Sequence, residues 1–262
     1  QQAVSLLELP DGDSHVILSK DASTYIDVFF NLMGHLSNEA GESLWGEKTP
    51  HHLQYARKIS SCMPDARFII LIRDGRAVVK SRFAVKNCLK HPRWNDNLFS
   101  ASRVWNKDMR LARQLMDCLS NDMYHKIYYE KLVQYPEAVI RDLLDYLGVE
   151  YTPGLLCEDE ASSPGFSRYY QQPWMAKSTE SVDRTRAFAW ENEYKPGELF
   201  LVQRMIGTQL ISMGYNIRDV YSPSWIFVLI NHSIKDLVFV LRRIERKAQR
   251  RISKLLGIVR NI

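Results

Sequence analysis

Residues 64–81 read PDARFIILIRDGRAVVKS, and the parsing of this stretch decides the fold. Phe68 to Ile72 is a continuous apolar run of strand length, the pattern of a parallel strand buried on both faces. Asp74 and Gly75 end it, and from Ala77 to Val85 the apolar spacing is helical. The unit is therefore strand, tight turn, helix.

The flanking sequence repeats that alternation. Upstream, TYIDVFFNLMGHLSNEA (24–40) places Tyr25, Val28, Phe29, Leu32 and Leu36 at helical spacing. A turn-rich stretch, Gly41 to Pro50, leads into a second helix over HHLQYARKISSCMP (51–64). Downstream, 99–120 predicts a long amphipathic helix whose buried side holds Val104, Met109, Leu111, Ala112, Leu115 and Met116. HKIYYE (125–130) predicts a second strand. In PEAVIRDLLDYLGVEY, Pro136 opens a helix, Val139, Ile140, Leu143, Leu144 and Leu147 form its stripe, and Gly148 stops it. Residues 157–198 are polar and aperiodic, which predicts a long loop ordering on a ligand, and a helix near 198–213 follows. The expected class is α/β, a parallel sheet flanked by helices.

The chain has 262 residues, 45% hydrophobic and 25% charged, enough for a packed core and too apolar for disorder. No apolar run reaches the ~20 residues of a bilayer span, and Gln1 to Pro10 lacks the basic region of a signal peptide. Cys62, Cys88, Cys118 and Cys157 form no CxxC pair and no metal-ligand cluster, so reduced, buried or inert thiols and a cytoplasmic location are expected, with peripheral membrane contact as the other option. The net charge of +5 is unevenly spread: residues 233–262 hold nine Lys/Arg against Asp236 and Glu245. The rest of the chain is slightly acidic, which argues against a nucleic-acid binder.

Two stretches invite a phosphate-binding reading. GESLWGEKT (41–49) approaches the G-x-x-x-x-G-K-[ST] loop of kinases and NTPases, but Glu47 separates Gly46 from Lys48 and polar LSNEA precedes it instead of a buried strand. The stretch at 68–83 is the stronger candidate. A buried strand delivers Arg73 to its C-terminal end, where open α/β sheets bind ligands, and the next helix turns its N–H groups to the same place. A forked guanidinium suits a phosphate, and Ser81 adds a hydroxyl two turns into the helix. The alternative is that Asp74 caps the helix while Arg73 and Arg76 are merely solvated.

Taken with WGEKTP (45–50), YYEKLVQYPE (128–137), Trp105-Asn106, Lys177-Ser178-Thr179 and LISMGY (210–215), these residues resemble sulfotransferases that use 3′-phosphoadenosine-5′-phosphosulfate (PAPS), above all tyrosylprotein sulfotransferase-like and bacterial enzymes. The resemblance runs over roughly 44–217. It implies a P-loop-NTPase-like sulfotransferase fold over 1–217, expected to be N-terminally incomplete and to lack its first strand–loop–helix, with a basic amphipathic helical tail over 218–262 outside it. It implies that Arg73 and Ser81 hold the 3′-phosphate, that Tyr129 at the end of the second strand positions the nucleotide, and that Ser178 to Arg186 forms a lid with Arg184 and Arg186 as donors. Lys86 is a further nucleotide-binding candidate. Lys48 would stabilise charge on the transferring sulfuryl group, no metal being needed; the alternative for Lys48 is a solvent-facing loop lysine.

The sequence departs from the family at two points. The 5′-phosphosulfate strand–loop–helix has no match, since Gly12, Gly34 and Gly41 follow no apolar strand. The general base is also unmatched: where cytosolic sulfotransferases place a histidine two positions after the lysine, this chain has Pro50, followed by His51 and His52. These departures keep open a non-catalytic nucleotide-binding or interaction protein of the same fold. The acceptor is unspecified, a hydroxyl or an amine, and a homodimer is admitted.

In the tail, Leu237, Val238, Leu241, Ile244, Ala248, Ile252, Leu255, Leu256 and Val259 recur mostly at three and four, with Arg and Lys opposite them. Residues 234–259 thus predict a cationic amphipathic helix, placed against a membrane surface, the body of the protein or a partner chain.

Overall fold

The computed structural model describes residues 24–40, 44–49, 52–89, 97–153, 155–156, 184–234, 237, 245 and 249; at 25, 36, 38–40 and 84–89 the backbone alone is described. Its contacts divide the chain into two compact units, 1–52 and 53–262.

The first unit holds helix α1, Tyr25–Ala40, opened by Thr24, whose Oγ1 accepts the Asp27 N–H. Residues 44–49 follow without regular structure, and Phe29 meets Trp45 edge-on at 5.7 Å between ring centres. The helix expected over 51–64 divides: a 3₁₀ turn, His52–Tyr55, precedes α2, Ala56–Cys62.

The second unit is built on two parallel strands, β1 (Phe68–Ile72) and β2 (Tyr124–Tyr128), in register from Phe68 opposite Tyr124 to Ile72 opposite Tyr128. Between them run α3 (Gly75–Leu89) and α4 (Leu98–Met116); after β2 come α5 (Tyr129–Gln134) and α6 (Pro136–Leu147). The Asn97 side chain caps α4 by accepting from Phe99 and Ser100 N–H, while Ser100 Oγ accepts the Asn97 N–H. Gly148 ends α6 with φ of 72°, the left-handed cap the sequence predicts.

The core packs β1 onto α3, α4 and α8 (Pro196–Ser212): Ile70, Ile72, Val79, Trp105, Leu115, Ile206 and Leu210 are buried together. β1 is buried on one face only, which corrects the expectation for 68–72. Ile70 and Ile72 point into the core, whereas Ile69 and Leu71 are 49% and 55% exposed. The long polar stretch also differs in part from a loop. Arg184–Ala187 is a 3₁₀ turn and Trp190–Glu193 a short helix, α7, because Ala187 and Trp190 supply buried anchors. Residues 157–183 lie outside the described part of the chain. A last helix, α9, spans 225–234.

Candidate functional site

Parallel pairing of Ile72 with Tyr128 brings the residues that follow each strand to one end of the sheet. Arg73 and Asp74 leave β1 there, and Tyr129 and Glu130 leave β2. Tyr129 is the first residue of α5 and not the last of the strand, since β2 ends at Tyr128.

The Arg73 guanidinium lies over the Tyr129 ring, 4.2 Å from its centre, and Nη2 donates to the Arg186 carbonyl over a long 3.5 Å. Its buried Nε has no hydrogen-bond partner among the described residues. A buried N–H on a permanent cation is costly without an acceptor, and an anion bound beside it would supply one. Three of the residues implied by the resemblance, Arg73, Tyr129 and Arg186, thus stand together. Arg184 is exposed in the same 3₁₀ turn as Arg186.

Ser81 is exposed on α3, and no hydrogen bond joins it to Arg73. Lys86 lies on the same helix with only its backbone described, and Ser178 falls outside the described residues. Lys48 belongs to the first unit and is exposed in the irregular stretch 44–49. Beside it Glu47 is engaged locally, accepting from Thr49 Oγ1 at 2.5 Å and lying 2.5 Å from His52 Nδ1. A helix, α1, enters this region where an NTPase loop needs a strand, so the kinase reading loses its structural basis. His51 lies outside the description.

Arg76, which the sequence left beside Arg73 as a solvated candidate, is an internal residue. It is 4% exposed, and its Nη2 and Nε donate to Asp74 at 2.7 and 3.0 Å, its Nη1 to Gln203 Oε1 at 3.0 Å. Asp74 also caps α3 by accepting the Arg76 N–H, as the sequence suggests. The Asp74 N–H donates to Glu130 Oε1, and Tyr215 Oη donates to Glu130 Oε2, each over 2.9 Å. Burial, then the Glu130 carboxylate, pushes the Tyr215 phenol well above its usual range; burial does the same to Tyr194, which donates to the Arg76 carbonyl. Trp190 covers the Arg76 guanidinium at 4.0 Å, so residues 186–194 are strapped onto the start of α3.

Trp105 closes the site from below. Its Nε1 donates to the Arg73 carbonyl at 3.3 Å, and a Cβ on Gly75 would meet its ring at 2.8 Å. Glu130, Tyr215, Trp190 and Tyr194 were not singled out from the sequence as site residues. The available signal was Trp190 and Tyr194 in an otherwise polar stretch, since a large aromatic there needs something to bury against. An open groove of about 630 Å³ along α8, lined by Arg204, Gly207, Thr208, Ile211, Ile217 and Asp219 among others, includes neither Arg73, Tyr129 nor Arg186 and touches the buried network through Gln203.

The sequence pattern of the sulfotransferase family matches residues 10–153, more than half of the chain. The chain belongs to the sulfotransferase family. It is similar to protein-tyrosine sulfotransferase A of Caenorhabditis elegans, 26% identical over 113 residues, or 43% of this chain and 30% of that protein. It is also similar to protein-tyrosine sulfotransferase 2 of Gallus gallus, 24% identical over 181 residues, or 64% of this chain and 46% of that protein. This sulfotransferase-family chain therefore spans less than half the length of these two relatives. Its fold is shared with the sulfotransferase domain of the curacin biosynthetic pathway, with TM-score 0.56 and 20% identity over 71% of this chain and 68% of that one. It is shared also with the sulfotransferase domain of the Synechococcus PCC 7002 olefin synthase, with TM-score 0.59 and 21% identity over 82% and 74%. The α/β sulfotransferase fold expected from the sequence is the fold of the chain.

Proposed function

We propose that this chain takes a sulfuryl group from PAPS and transfers it to an acceptor hydroxyl or amine. The observation that carries the reading is the Arg73 guanidinium, fixed at the strand's C-terminal end over Tyr129 with a buried N–H unspent. Those residues fit an anionic nucleotide. Arg73 binds the 3′-phosphate, Tyr129 holds the guanidinium plane, and Arg186 and Arg184 add positive charge from the 3₁₀ turn. Ser81 presents an accessible hydroxyl on α3. When bound, PAPS supplies the activated sulfuryl group. Lys48, an exposed ammonium, is assigned its charge-stabilising role by the resemblance and not by position. The names of the relatives make a tyrosyl hydroxyl the first acceptor to assay.

Isothermal titration with adenosine-3′,5′-bisphosphate tests the site. Arg73→Ala removes a charged hydrogen-bond donor, worth about 1.5–3 kcal/mol, so affinity should fall about tenfold to a hundredfold. No heat of binding even at millimolar nucleotide would overturn the reading. Transfer of labelled sulfate to a tyrosine-containing peptide, lost in Lys48→Ala with nucleotide affinity retained, tests the reaction.

A further inference from the structure

Helix α9 has two apolar faces. The inner one is seated: Val228 packs on the core, Trp225 lies 6.0 Å from the Phe200 ring, and His232 meets Phe83 and Phe99 edge-on at 6.0 and 5.8 Å. The outer one is bare. Ile226, Phe227, Ile230 and Ile234 are exposed, Phe227 by 77%, and so is Leu237, which is also helical. At about 100° per residue these five positions fall within an arc of about 100°, a single stripe.

The sequence continues that stripe. Leu241, Ile244, Ala248, Ile252, Leu255 and Val259 extend Ile226, Ile230, Ile234 and Leu237 in steps of four and three. The same apolar type returns every eleven residues, at 226, 237, 248 and 259. Eleven residues in three turns is about 3.67 per turn, close to the straight helix and away from the 3.5 that winds a left-handed coiled coil. A stripe of that period suits a flat surface. By sequence spacing alone the nine Lys/Arg of 233–262 fall off that repeat and Glu245 is the one acidic position within its arc; residues 235–236, 238–244, 246–248 and 250–262 lie outside the described part of the chain. No helix among the described residues is long and apolar enough to cross a bilayer.

We infer that the outer face of α9, with the basic sequence that follows it, docks in the plane of an anionic lipid surface. The exposed isoleucines and Phe227 enter the acyl boundary, and Lys and Arg snorkel to the headgroup phosphates. Apolar stripe and cationic flank together choose this occupant over an acidic protein, which would not need so long an apolar face.

Co-sedimentation of the full chain with vesicles of phosphatidylcholine alone, and with phosphatidylserine added, tests the inference. Binding should favour the anionic vesicles and weaken with salt. It should fall about fivefold for each charge removed in Arg242→Gln and Arg246→Gln. Phe227→Glu with Ile230→Glu should abolish it; both side chains are exposed, so the far-UV circular dichroism should not change. Equal binding to both vesicle types, no binding to either, or binding indifferent to the double substitution would overturn the inference. So would a dimer in sedimentation velocity that the double substitution dissociates, with no vesicle binding, since the face would then serve a second copy of the chain.

Discussion

Arg73 and Arg76 flank the same Asp-Gly turn, yet the structure gives them opposite duties, and substitution should separate them. The Arg76–Asp74 pair lies at 2.7 Å with both side chains 5% exposed. Arg76→Met strands the Asp74 carboxylate in a cluster that already holds Glu130. Breaking a buried pair from one side costs about 3–5 kcal/mol. At about 2–4 °C per kcal/mol for a chain near this size, Tm should fall by about 6–20 °C. Asp74→Asn combined with Arg76→Met removes both charges and leaves an acceptor for the helix N–H, so it should recover a large part of the loss. Arg73→Ala gives up one long hydrogen bond and a ring contact, and should stay within about 1 kcal/mol of the parent while losing nucleotide affinity. Urea and thermal unfolding, read beside calorimetric titration, measure all three. The reasoning fails if Arg76→Met costs less than about 1 kcal/mol, or if the double variant is no more stable than Arg76→Met alone.

Gly75→Ala would drive a Cβ to within 2.8 Å of the Trp105 ring and 2.7 Å of Ile206 Cδ1, so it should cost about 1–3 kcal/mol in urea unfolding despite alanine's better helix propensity. Trp190→Ala should destabilise by about 3–5 kcal/mol, and nucleotide affinity should fall with it, because Trp190 anchors the strap that brings the Arg186 carbonyl to Arg73. Tyr194 and Tyr215 keep their protons in the folded chain above the usual phenol range, whereas the unfolded chain releases them near pH 10. The native state then holds more protons, so their contribution is complete below pH ~10 and stability falls as pH rises past it. The urea midpoint followed from neutral to strongly alkaline pH should show that fall. Tyr215→Phe should flatten it while costing about 1–3 kcal/mol at neutral pH, through the Glu130 oxygen left without a donor.

What the sequence disclosed depended on how local the signal was. Phe68 to Ile72 forms a strand with the expected ends, and Pro136 and Gly148 bracket α6, because apolar runs, prolines and glycines act within a few residues. The short helix at Trp190 and the Arg76–Gln203 bond join residues far apart in the chain, and no spacing rule reaches across such distances. Among candidate site residues, the position of Arg73 after β1 was legible from the apolar run that delivers it, whereas Tyr129 was a candidate only through the family resemblance. Glu130 was hidden, because a glutamate closing the expected strand 125–130 reads as solvated until the buried Asp74 N–H and Tyr215 hydroxyl that engage it are located.

The different fates of the two arginines follow from the strand's period of two. Ile70 and Ile72 face the core, and the same parity continued past the strand puts Asp74 inside, where it is 4% exposed. Ile69 and Leu71 face outward, and that parity carries Arg73 to the half-buried rim. A carboxylate sent inward must find a cation, and the nearest one on the first turn of α3 is Arg76. Arg76 is thereby committed to the interior, 4% exposed and covered by Trp190, while Arg73, one parity step out of the core, keeps a buried Nε with no hydrogen-bond partner among the described residues. Shifting the turn by one residue would exchange these assignments: the strand would direct an arginine into the apolar core and an aspartate to the rim, and neither the fold nor the proposed anion site would survive the exchange.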